Sequence, residues 1–307
     1  MPYLDMNFSN FLCVLVALFI LFLGIYTFYL PGRKKIQFYF LYFTICFSIW
    51  LFSFVGRQFV SFEFRHIVLD WMLIPTIFFP ILLDRIITLI SNPEQKESKW
   101  KVGIISLIVI YLLWATFTCS YSINVNLSNF NYSSTIHYHI FIGYQIVYVS
   151  FSILKLIQLI YKKTGAQRVR FSLMTIGVII MLSFALIFIY ILPLKGIFYG
   201  SLSYIGALIH FILWAIAILQ YNAFDTKYSI FVQESVPLIN KISINLFLFL
   251  FKILDPKEFR RSDFLFKRFF YSRVLYAEMQ LREKTELDFF QRAEVLARRY
   301  DRCKIDF

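Results

Sequence analysis

The chain has 307 residues, is 59% hydrophobic and 21% aromatic, and carries a formal net charge of +13. With a mean hydropathy of +0.67, that apolar fraction excludes an ordinary soluble domain. A basic balance in a soluble protein would point to nucleic acid, but here the cations flank apolar segments, so anionic lipid at the cytoplasmic face is the expected partner and nucleic acid is not.

In chain order, apolar segments are predicted at 8–30, 36–55, 67–90, 102–120, 137–161, 171–194 and 198–220. Each suffices to cross a hydrocarbon core, which takes about 20 helical residues. The expected fold is all-α: a seven-transmembrane helix bundle over 1–222, an interfacial or re-entrant segment over 223–255 and a basic helical tail over 256–307. The first segment lacks a basic leader and reads as a true span rather than a cleaved signal. Phe (38) and Tyr (20) are abundant, which fits both interfacial aromatic belts and an AT-rich coding bias. Cys13, Cys46, Cys119 and Cys303 show neither metal-ligand spacing nor a disulfide framework, and no cofactor or metal is expected.

Basic residues alternate between loops. Arg33, Lys34, Lys35, Lys96, Lys99, Lys101, Lys162, Lys163, Arg168 and Arg170 fall on one side; Arg57, Arg65 and Lys195 fall on the other. Ten against three predicts an N-terminus outside and a cytoplasmic C-terminus at a cell (inner) membrane. The outer stretch 121–136 has no charge and reads as a loop; its N-x-S sequons at Asn126 and Asn131 are expected to be ordinary loop residues.

Polar residues inside predicted spans are the candidate ligand-binding groups: Asp70, Asp84, Arg85, Gln145 and His210. Adjacent on a helix, Asp84 and Arg85 point about 100° apart and cannot share a face. Each therefore needs its own partner or snorkels; snorkelling to the interface is the expected behaviour of Asp84, Arg85 and Lys155. Pro75 and Pro80 predict a kink in the third span, either shaping a polar cavity or merely packed. His210 reads as a neutral interior histidine, with proton sensing as the alternative. His137 and His139, two positions apart, are expected to anchor the fifth span at its interface.

The last glycine is Gly206, so the tail lacks the residue that phosphate-cradling loops need. Residues 227–254 end in an apolar run that fits an interfacial helix better than an eighth span. Over 256–276, Arg260, Arg261, Lys267 and Arg268 alternate with large apolar residues, which suits either contact with a membrane surface or packing against a partner. Residues 274–300 predict a helix that pairs with a second protomer, as a homodimer, or with a separate cytoplasmic signalling protein.

The stretch LGIYTFYLPGRKKIQFYFLYFTICFSIWLFSFV resembles the start of the seven-transmembrane region found N-terminal in many bacterial histidine kinases and related membrane sensors. The turn Pro31 to Lys35, Gln37 where Asn is commoner, Trp50, the proline-bearing third span and the exit YNAFDTKYS with Tyr221, Phe224 and Asp225 carry the resemblance, which covers about 1–228. It implies membrane sensing and signal transduction. The kinase, PAS, cyclase or phosphatase domain that usually follows is not apparent, so output is expected through a partner and no enzyme activity is expected. A transporter or channel subunit, with a polar path lined by Asp84, Gln145 and His210, is the alternative; a membrane-embedded lipid enzyme is a third reading.

Overall fold

The computed structural model describes residues 2–29, 34–92, 94, 98–126, 131–219 and 238–300. The sequence features at Pro31, Arg33, Lys96, Cys303, the start of the segment at 227–237 and the exit with Tyr221, Phe224 and Asp225 lie outside these residues.

Among the described residues, seven helical stretches are long and apolar enough to cross a membrane: Phe8–Tyr29, Lys35–Phe59, Arg65–Ser91, Lys99–Phe117, Ile136–Lys162, Ala166–Leu194 and Gly200–Ile218. The protein is thus an all-α polytopic bundle, as its hydropathy predicts. Its Cα framework divides into two compact units, one of Met1–Leu159 with Ser172–Ala215 and one of Ile160–Phe171 with Ile216–Phe307.

In the first unit, α1 (Pro2–Tyr29) and α2 (Lys34–Gly56) form an antiparallel hairpin. Ser48 Oγ donates to the carbonyl of Ala17 (2.9 Å), and Cys13 Sγ reaches that of Leu51 (3.5 Å). The helices meet closely at Gly24, where a Cβ would fall onto Thr44 Oγ1, so only hydrogen fits.

The third span is broken. Pro75 and Pro80 split it into α3 (Arg65–Trp71), α4 (Ile74–Ile77) and α5 (Phe79–Ser91). The fourth, α6 (Lys99–Phe117), ends three residues before its apolar run does. Its stop is a Schellman turn: Ser120 N–H donates to Ala115 O (2.9 Å), Cys119 N–H to Thr116 O (3.1 Å), and Cys119 takes a left-handed φ of 50°.

The stretch expected to be a plain loop is instead an antiparallel β-hairpin, β1 (Ser122–Asn126) against β2 (Asn131–Ser134), with Ser122 opposite Ser134. Ile123, Val125 and Tyr132 are good strand formers alternating with polar residues, a period-two signal outweighed in the sequence by the turn-forming Asn and Ser around it.

The fifth span is the 27-residue α7 (Ile136–Lys162). The sixth starts as α8 (Ala166–Ala185), widens to a π-helix over Leu186–Ile191 and closes as α9 (Leu192–Leu194). The seventh enters through a 3-10 turn, Gly200–Ser203, into α10 (Tyr204–Leu219). The core of this unit is aromatic. Phe47 stacks on Phe79 with centroids 3.9 Å apart, Phe43, Phe211 and Trp214 pack around them, and Trp214 Nε1 donates to Met174 O (3.1 Å).

The second unit contains α11 (Leu238–Leu254), α12 (Pro256–Lys284) and α13 (Phe289–Tyr300). The apolar part of α11, Ile244–Leu254, rises about 16 Å, half the thickness of a hydrocarbon core. That is short for a span. Asp255 caps α12 through Glu258 N–H (3.3 Å) and also accepts from the N–H of Gly165 (2.9 Å), whose φ is +67°. The tail does not divide near 274–276: α12 runs unbroken to Lys284. The division falls at 285–288, where Asp288 and Gln291 exchange hydrogen bonds (2.8 and 3.1 Å) in a capping box. Arg292 then pairs with Glu278 (3.2 Å), laying α13 back along α12.

Candidate functional site

The five sequence candidates do not converge. They lie in different parts of the first unit, and each makes contacts of its own.

Asp70, 1% exposed, sits at the end that carries the β-hairpin. Its carboxylate accepts from Tyr121 N–H (2.9 Å) and Ser122 Oγ (2.6 Å), while His66 Nε2 lies 2.9 Å from Ser122 O. Asp70 thereby pins the first residues of the hairpin to the third span. A small cavity lies beside it, lined by Arg57, Tyr132 and Tyr138 among others. Burial pushes the Tyr132 phenol upward in pKa, so it faces this space as a neutral group.

At the opposite end of the same span, Asp84 is also 1% exposed. Lys155 from α7 lies 3.0 Å from one carboxylate oxygen, and Lys101 from α6 contacts the other. The expected snorkelling of Asp84 and Lys155 is corrected: both turn inward to meet each other, because a buried carboxylate without a cation would be far costlier than a bent lysine. Arg85 departs on another face, its guanidinium over the Tyr39 ring (5.7 Å), as the 100° separation requires.

Between these ends lies a cavity of about 80 Å³ with polar residues in its wall. Phe43, Phe47, Trp50, Phe79 and Ile142 give it a largely apolar surface, and Thr76, Gln145 and Ser203 are polar residues in its wall. The Trp50 indole N–H is buried without a hydrogen-bond partner among the described residues. Such a donor next to an apolar cavity fits a ligand that carries one acceptor.

The wall is built around missing donors. Pro80 has no N–H, so in α-helical register the carbonyl of Thr76 loses its partner. Gln145 Nε2 supplies the replacement at 2.7 Å, and Tyr144 Oη donates to the adjoining Ile77 carbonyl (3.1 Å). Where the π-helical stretch runs into Pro193, which has no N–H to give, the carbonyl of Ile189 accepts instead from Tyr138 Oη at 2.7 Å. Tyr138 and Gln145 lie seven residues apart on α7, hence on one face. One helix face thus repairs two proline-broken spans, and the cavity lies where these three elements meet.

His210 does not line this cavity. Fully buried, it is boxed by Trp214 (4.9 Å), Phe211 (5.0 Å) and Phe43 (5.9 Å), with neither ring nitrogen hydrogen-bonded among the described residues. His137 and His139 diverge, to Tyr111 Oη (2.7 Å) and Tyr190 Oη (3.0 Å), tying α7 to two different neighbours. Of the tail residues, Arg260, Arg261 and Arg268 are exposed, and Lys267 pairs with Asp263 (3.2 Å). Among the described residues no three His, Cys, Asp or Glu side chains are gathered to hold a metal ion.

Sequence reading missed Trp50 as a cavity donor, Thr76, Tyr138 and the second role of Lys101. One signal was present: a proline four residues after a carbonyl, with an uncharged amide or phenol on another span to replace its donor. Comparison with protein-family models, with curated proteins and with solved structures finds no match to this chain.

Proposed function

We propose that this protein is a membrane sensor whose bundle binds a small, mostly apolar molecule bearing one hydrogen-bond acceptor. The observation that supports it is the cavity at the two proline breaks, where Gln145 lies in an otherwise apolar wall and Trp50, whose buried N–H has no partner among the described residues, stands beside it. The Gln145 amide nitrogen has two N–H donors, one of them on the Thr76 carbonyl, and a ligand acceptor that draws the amide toward the cavity weakens that bond. Weakening it leaves the broken third span short of a donor and favours a different break geometry. The ligand then has different affinities for two packings, which is what a sensor needs.

The resemblance of 1–228 to the membrane regions of bacterial sensor kinases supports the same reading. The charge bias supports an orientation with the N-terminus outside and the tail in the cytoplasm, where α12 and α13 relay the change to a second copy or a signalling partner. A transporter reading needs one polar path; Gln145 lines the central cavity, whereas Asp84 and His210 do not.

The test uses the purified chain in lipid nanodiscs, challenged with a medium-chain ketone or lactone and with the alkane of equal length. The expected result is a higher unfolding temperature with the acceptor-bearing molecule alone, abolished in Ala207→Phe, which fills the cavity. Equal responses to ketone and alkane, or a response that survives Ala207→Phe, overturn the reading.

A further inference from the structure

A second space lies on the outside of the same unit, independent of the central cavity. Between α6 and α7 runs an open apolar groove of about 520 Å³, bordered by Leu107, Tyr111, Ile140, Tyr144, Val147 and Tyr148. Gly143 lies in its wall, and a Cβ built there meets nothing within 4 Å. α6 is the least covered of the seven spans; Leu107 is 71% exposed.

One end of the groove is charged. The ammonium of Lys101 lies 5.8 Å from the ring centroid of Tyr148, a groove residue, while contacting Asp84. The cluster there holds two ammonium groups, Lys101 and Lys155, against the single carboxylate of Asp84, so it carries one positive charge in excess. Both lysines are partly exposed, 34% and 26% at the side chain, and an ammonium has three donors. Leu107 and Tyr111 follow Lys101 by six and ten residues, about 9 and 15 Å along the helix, and one leaflet of hydrocarbon is about 15 Å deep.

We infer that this groove is a specific site for one anionic phospholipid, its phosphate at Lys101 and Lys155 and one acyl chain along Leu107, Gly143 and Tyr111. The apolar length matches one tail, the charge matches one phosphodiester, and the two adjoin at Tyr148. A tail in the groove fills the space between α6 and α7, and its headgroup shares the lysines that hold Asp84 on the third span.

The test is native mass spectrometry of the full chain, released from detergent containing equal phosphatidylglycerol and phosphatidylcholine of matched tails. One phosphatidylglycerol is expected to be retained in preference to phosphatidylcholine. Lys101→Gln is expected to lower that preference about fivefold, the worth of one lysine toward anionic lipid, while Lys101→Arg keeps it. Gly143→Phe is expected to expel both lipids without lowering the unfolding temperature, because its side chain enters open space. Equal retention of the two lipids by the native chain, a preference unchanged in Lys101→Gln and Gly143→Phe alike, or displacement by millimolar inorganic phosphate alone overturns the site. So does a dimer that Gly143→Phe converts to monomer, since the groove's occupant is then a second copy.

Discussion

The side-chain amide of Gln145 donates to the carbonyl of Thr76 across 2.7 Å, the carbonyl that Pro80, four residues on, cannot serve. Within a bilayer there is no water to make up the loss, so the replacement donor has to come from another helix. Gln145→Leu leaves that carbonyl unpaired and is expected to cost about 1–3 kcal/mol. Restoring a backbone N–H with Pro80→Ala is expected to recover much of this in the double variant, although Pro80→Ala alone gains little. A double-mutant cycle on chemical denaturation in detergent measures the coupling. Additive effects would mean that Gln145 does not stand in for the proline.

Asp84 offers a second cycle. Its neutralisation in Asp84→Asn leaves Lys101 and Lys155 side by side with like charge. A cost of about 2–3 kcal/mol is expected, below the usual figure for breaking a buried pair because both lysines still reach solvent. Lys155→Gln is expected to cost less, since Asp84 keeps Lys101. Unfolding in a mild detergent gives both values, and a milder effect for Asp84→Asn than for Lys155→Gln would contradict the geometry.

Seven spans and the broken third helix are legible in the sequence because bilayer hydropathy is a long-range, additive signal and proline is local and unambiguous. The site is less so. Asp84, Lys101 and Lys155 are separated by 17 and 54 residues in the chain, and nothing in their spacing says that a lysine counted as a topological charge turns inward. Snorkelling is the cheaper course for a lone side chain; it loses once a carboxylate on a neighbouring helix waits to be neutralised. The hairpin was hidden for a different reason: turn-forming Asn and Ser outweigh the period-two signal of Ile123, Val125 and Tyr132, and its anchor is Asp70, more than 50 residues upstream. The capping box at Asp288 and Gln291 follows the D-x-x-Q pattern and was readable, yet the strong helix formers around it suggested an unbroken helix.

Cys119 holds a left-handed φ of 50° to end α6, a conformation that costs a side chain about 1–2 kcal/mol. Cys119→Gly removes that strain and increases the freedom of the unfolded chain, so a net gain of about 0.5–1 kcal/mol is expected. A lower unfolding midpoint than the native chain would show that Cys119 contributes more through packing than it loses in strain.

Tyr121 makes the hairpin end sensitive to alkali. Its buried phenol donates to Leu112 O (2.8 Å), and burial pushes its pKa up to about 12. An unfolded tyrosine titrates near 10. The folded state therefore favours the protonated phenol: its contribution is complete below pH about 10 and is lost as pH rises toward 12. Between those values stability is expected to fall by about 1.4 kcal/mol per pH unit for this group. Tyr121→Phe is expected to remove that share of the slope, while Tyr132, shifted the same way, retains its own. Unfolding midpoints from pH 9 to 12 for both chains measure the difference, and parallel curves would refute the assignment.

On the exposed side of α12, Arg261 and Arg268 sit among Phe264, Leu265 and Phe269, all solvent-facing within the second unit. Seven residues apart, the two arginines share a face with the aromatics between them. A helix of this kind lies at an anionic bilayer surface with its rings in the headgroup zone, each arginine adding about 1 kcal/mol. In the full chain reconstituted in phosphatidylglycerol vesicles, chymotrypsin is therefore expected to cut at Phe264 and Phe269 more slowly than in phosphatidylcholine. Arg261→Gln with Arg268→Gln is expected to abolish that protection, as is 1 M salt, which shortens electrostatic reach to about 3 Å. Protection that is equal in the two lipids and indifferent to salt would instead assign this face to a protein partner, since packing of the rings against another chain needs no anionic lipid.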